Sequence, residues 1–233
     1  MLSRAAIVAS LLAVFGMATL AVSLACRASE QKHFELNITS PDATYRTHFK
    51  ERVGSPGPTR HEVRFDVFKG EVSLLKDEQF YEGGVNDNMF SDLYPEHLWI
   101  SPSVLRFGRK DNSPEPQHDE VSIENDTDRL ITYLKVNAGK YESFLLLELK
   151  PRSLVVLNPQ PQTDKGQDLS YIGCKGRFND GTPIGEEAGN FRVQGRYRGS
   201  AHYSIKISTN GVLISSKEFE SLTRSYPFPS TTQ

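Results

Sequence analysis

The chain has 233 residues, of which 37% are hydrophobic and 24% charged, and its net charge is −2. That composition excludes a disordered chain, and the near-neutral balance removes any global electrostatic signal for nucleic acid. Zinc-finger spacing, a recognition-helix signature and an RNA-binding aromatic motif are all missing, so no nucleic-acid partner is expected.

The N-terminus carries the strongest signal. Residues 1–4 form a short flank with one Arg, and Ala5–Ala25 is then a run of 21 residues without a charge. As a helix such a run spans about 30 Å, the thickness of a hydrocarbon core. It is longer than the usual apolar stretch of a signal peptide, which favours an uncleaved single-pass anchor. Ser23-x-Ala25 would serve a signal peptidase, and Cys26 would serve lipid attachment, although Ser23 stands where a lipobox usually has Leu. Anchored, secreted or lipid-anchored, the remainder is expected outside the cytoplasm.

Residues 26–60 read as a polar linker, with "ATYRTHFKERV" as an edge strand and "GSPGPTR" as a bend. From 61 to 217 the chain reads as β throughout. "HEVRFDVF" alternates Val63, Phe65 and Val67 against Glu62, Arg64 and Asp66, the period of a half-buried strand. "DEVSIEN" and "LITYLKV" follow, the second with Leu130, Thr132, Leu134 and Val136 on one face and Ile131, Tyr133 and Lys135 on the other. "ESFLLLEL" and "SLVVL" are continuous apolar runs expected of central strands, separated by Pro151. "DLSYIGC", "NFRVQGRYR", "HYSIKIS" and "VLISS" complete the set, with Asn210-Gly211 as a hairpin turn.

These strands predict an all-β, antiparallel β-sandwich, Ig-like in general pattern but without the Cys…Trp…Cys framework of immunoglobulin domains. Its core is expected from Val121, Ile123, Leu134, Leu145, Leu147, Val155, Ile205 and Ile207. Residues 218–233 read as a flexible tail.

Candidate sites are few. Lys76 to His97 holds six acids (Asp77, Glu78, Glu82, Asp87, Asp92 and Glu96) against one Lys. Carboxylates so grouped could bind Ca²⁺ or do acid–base work, but the EF-hand order is missing. The interleaved Val85, Met89, Phe90, Leu93, Tyr94 and Trp99 read as a plug, so the stretch is expected to be structural. The six histidines are scattered, Cys174 reads as a buried thiol, and no metal or cofactor is expected. Sequons occur at Asn37 and Asn125. In "NFRVQGRYR" the alternation places Arg192, Arg196 and Arg198 on one strand face, an anion-binding stripe or a guarded edge.

The expectation is an extracytoplasmic binding module at the cell envelope with a protein partner, binding being favoured over catalysis while the sequence leaves an enzyme open. The alternatives are a carbohydrate- or anion-binding module using the Arg stripe, and an envelope hydrolase using carboxylates near Asp87.

Overall fold

The computed structural model describes residues 34–53, 61–83, 96–108, 119–138, 142–159, 163–164, 167–185, 191–194, 202–217 and 224–228. The 5–25 segment lies outside them, and among the described residues no helix is long and apolar enough to cross a membrane.

The described chain is all-β and forms three sheets. The first holds β1 (Phe34–Thr39), β2 (Tyr45–Val53), β3 (His61–Lys69) and β4 (Val72–Gly83) in sequential antiparallel order. The central sheet uses β5 (Glu96–Ser101), β6 (Val104–Gly108), β8 (Ile131–Ala138), β9 (Ser143–Leu149), β11 (Thr163–Asp164) and β12 (Gln167–Phe178). Its order is β11-β12-β8-β9-β6-β5, and β13 (Pro183–Ile184) and β14 (Phe191–Gln194) also pair with β12. The third sheet runs β10 (Ser153–Leu157), β7 (Glu120–Asn125), β15 (His202–Ser208), β16 (Gly211–Ser216), β17 (Arg224–Tyr226). Its β7–β15 pair is parallel, an exception to the antiparallel rule expected from the short turns.

The central sheet is covered on both faces, so the described residues form two cores. Phe144 and Leu146 of β9 face the third sheet, packing with Val121, Ile123, Ile205 and Ile207. Leu145 and Leu147, pointing the other way, join Phe49, Phe65, Phe80, Phe107 and Tyr133 against the first sheet. Burial on both faces is why "SFLLLEL" has no polar alternation until Glu148. The aromatic core packs by stacked and edge-on contacts, with Phe49–Phe107 centroids 5.0 Å apart and Phe65–Tyr133 centroids 5.7 Å apart.

Several boundaries differ from the sequence reading. The stretch expected as linker with an edge strand holds β1 and β2. β2 lies inside its sheet, with Tyr45, Thr47, Phe49 and Glu51 all buried. β17 and Phe228, the latter packed edge-on against the Phe178 ring, fall within the expected tail. Ile131 joins the same core as Leu134, because the β8–β12 register shifts at Arg177/Phe178 and breaks the two-residue period.

Candidate functional site: an apolar edge flank

Contacts between layers fix which strand lies over which. Glu78 of β4 accepts hydrogen bonds from Tyr133 of β8, at 2.9 Å, and from Arg177 of β12, at 2.9 Å. Tyr45 of β2 and Lys69 of β3 both donate to Glu148 of β9. The first sheet therefore runs from β4 over β8 and β12 toward β1 over β5. On the opposite face, Phe228 beyond β17 meets Phe178 of β12, and Asn125 of β7 donates to the carbonyls of Leu149 and Lys150 at the end of β9. The third sheet runs in the same sense, toward β10. The terminal strands β1, β5 and β10 thus share one flank, and among the described residues no strand pairs with their outer edges.

That flank is apolar. Among the described residues the exposed large hydrophobics are Val72, Leu98, Ile100, Leu154, Val156 and Leu213; four of these six lie on β5 and β10. Leu98 is 57% exposed and Leu154 62%. Edge strands usually carry charges, bulges or prolines that block further pairing. β1 carries Glu35, beside His48 at 3.6 Å. β5 has a register irregularity between Trp99 and Ser101, followed by Pro102. β10 carries no such device between Ser153 and Leu157, and its ladder to β7 is regular.

The arch entering β10 is held by ion pairs and a buried amide. Arg152 adopts φ 52° and its guanidinium bonds Asp126 and Asp128. Asn125 is fully buried, donating to the carbonyls of Arg129, Leu149 and Lys150 while its Oδ1 accepts from Thr127. Its sequon is therefore not an accessible acceptor in the folded chain, because the amide nitrogen is already used inside the turn. Asn37 is exposed on β1.

Charged groups elsewhere are tied into the fold. Burial pushes Glu148 up, but hydrogen bonds from Lys69 and Tyr45 and the Lys69 charge outweigh it, and the net shift is downward. Asp66 behaves alike: burial raises it, while Lys50, the Asp77 amide and His48 bring it below its ordinary value. Burial, aided by the facing carboxylates Glu148 and Glu78, raises Tyr45 and Tyr133. Cys174 is a buried free thiol pushed up to about 12 by burial. Among the described residues no group of three or more His, Cys, Asp or Glu is placed to hold a metal.

The sites singled out in the sequence stand as follows. Arg192 lies on β14, whose backbone there pairs with Tyr171, while Arg196 and Arg198 lie outside the described residues. Asp87 and Asp92 of the acidic stretch are also outside them, but Asp77, Glu78 and Glu82 lie on β4 and Glu96 on β5, and Asp77 and Glu78 have partners. Trp99 is half-buried on β5 against the aromatic core. The flank is not legible in the sequence, where "SLVVL" has the apolar run expected of a central strand. Among the described residues it is an edge strand, with Leu154 and Val156 facing outward. A run of apolar residues is compatible with burial on two faces or with one apolar face left open, and periodicity does not separate them.

No family model and no curated protein matches the chain. A solved structure, an NMR structure of a protein from Eubacterium rectale, aligns with 46% of this chain and 95% of its own at 12% identity. Its TM-score is 0.31, too low to carry an argument about fold or function.

Proposed function

We propose that this chain is an extracytoplasmic binding module, tethered by its 5–25 segment, that engages another protein at the cell envelope through the β5–β10 flank. In this reading the central and third sheets form the Ig-like sandwich, and the first sheet is an added layer that leaves the flank open. The observation that supports it most is the exposure of Leu98 and Ile100 on β5 and of Leu154 and Val156 on β10, two terminal strands whose outer edges are unpaired among the described residues. Edge strands offer backbone donors and acceptors, and their alternate side chains select the segment that adds to them.

Two measurements test it. With Val72, 64% exposed at the β3–β4 turn, changed to Cys, a membrane-impermeant maleimide should label intact cells, and the full chain should fractionate with membranes. A soluble, unlabelled chain in intact cells would end the localisation half. For the binding half, Leu98→Lys with Ile100→Lys should weaken a purified partner by about tenfold or more at unchanged melting temperature. Unchanged affinity in that variant and in its β10 counterpart would end the flank as the binding surface.

A further inference from the structure

We propose that Asn210 is a site of spontaneous covalent modification: it deamidates through attack by the Gly211 nitrogen, and the isoaspartate that results loosens β17 from the end of the third sheet. The inference depends neither on the β5–β10 flank nor on where the chain resides in the cell.

Three observations single out Asn210. It is the one Asn in the sequence followed by Gly, so no side chain on the next residue shields the attacking nitrogen. It is exposed, in the Thr209–Asn210 loop of the β15–β16 hairpin. Its backbone amide donates to Ser208 Oγ at 3.3 Å, and among the described residues no group bonds its carboxamide. The two sequon asparagines each fail on one of these counts. Asn37 is exposed, but its neighbour Ile38 is β-branched and buried. The Asn125 carboxamide is buried, donates to the carbonyls of Arg129, Leu149 and Lys150, and accepts from Thr127.

The reaction needs water alone. The Gly211 nitrogen gives up its proton to solvent and attacks Asn210 Cγ. The new C–N bond closes a cyclic imide, and the carboxamide nitrogen takes a proton from solvent and leaves as ammonia. Water then adds to the Asn210 backbone carbonyl and the C–N bond there breaks. The chain is left joined through Cγ, and the former backbone carbonyl becomes a carboxylate. The backbone is now longer by a methylene between Asn210 and Gly211, where the fold has no slack. Gly211 adopts φ 134°, and a Cβ on it would lie 2.1 Å from the Tyr226 carbonyl oxygen. Next to it Val212 pairs with Tyr226, in a ladder of three residue pairs that holds β17 to β16. β17 leads to Phe228, which packs edge-on against Phe178 of the core. A displaced Gly211 breaks the end of this short ladder and leaves the outer edge of β16 open.

The test incubates the full-length chain in mild detergent and mildly alkaline buffer, followed by peptide mass spectrometry and amide exchange. The peptide holding Asn210 should gain the mass of an NH2 replaced by OH at least about tenfold faster than the peptide holding Asn37, with isoaspartate as the main product. Exchange at Ser225 and Tyr226 should quicken in step with that conversion, while the β7–β15 ladder keeps its protection. Asn210→Ser should show neither change. Asn210→Asp, measured fresh, carries the new charge on a backbone of ordinary length, and its Ser225 and Tyr226 should stay protected. Conversion of Asn210 no faster than that of Asn37 would overturn the inference. So would full conversion with Ser225 and Tyr226 still protected, or a fresh Asn210→Asp chain that has already lost that protection.

Discussion

Glu148 shows how much one residue can hold in this fold. It interrupts the apolar run of β9 with φ 49°, a conformation costly for a side chain with a Cβ. Its carboxylate accepts from Tyr45 Oη and from Lys69 Nζ at 2.6 Å, tying the central sheet to the first. Glu148→Ala should therefore destabilise by about 1–3 kcal/mol in urea melts, well beyond the small loss expected of a solvated strand residue. Glu148→Gly should lose about 1 kcal/mol less, because glycine relieves the backbone. Equal losses would mean the strain is absent. The net downward shifts of Glu148 and Asp66 predict an acid limb. Their folded-state values lie below the ordinary 4.5 and 3.8, so both contribute stability above those pH values and lose it as pH falls through the folded values. The melting temperature should hold from neutral pH to about 5 and then decline, with a shallower decline in Glu148→Gln plus Asp66→Asn.

At the scale of the element, the hairpin between β15 and β16 combines a local signal with a distant constraint. Asn210-Gly211 marks the turn in sequence, and Gly211 adopts φ 134°. A Cβ there would also lie 2.1 Å from the Tyr226 carbonyl of β17, closer than atoms approach. Gly211→Ala should therefore displace β17, seen as faster amide exchange at Ser225 and Tyr226 and a loss of about 2 kcal/mol or more. Intact protection of those amides would place the cost in the turn alone.

For the whole molecule, the central sheet supplies one wall of each core, so the two cores should melt together. Leu147→Ala opens a cavity on the aromatic side and Ile205→Ala one on the opposite side, each at about 2–5 kcal/mol. Both variants should still show one cooperative transition that coincides by fluorescence and circular dichroism. Separate transitions, with the Leu147 variant lowering the first alone, would mean that the first sheet folds independently.

The β class, the alternation of β3 and most of the buried positions are legible in the sequence, because each depends on side-chain period within one strand; the Asn-Gly signal marks the β15–β16 hairpin, whose loop is Thr209–Asn210 with Gly211 opening β16. Val121, Ile123, Leu134, Leu145, Leu147, Ile205 and Ile207 are all buried as expected. Only the tertiary structure decided that they divide between two cores, since the same apolar run serves a strand covered by one sheet on each face. It also decided that Val155 sits half-buried on an edge, and that Leu154 and Val156 look outward. Burial of a strand depends on its neighbours in space, and β10 has a neighbour on one side only among the described residues. The Asn125 sequon follows the same rule. Its three letters are local, but the carbonyls that occupy its amide come from Arg129, Leu149 and Lys150, two of them brought in from the end of another strand.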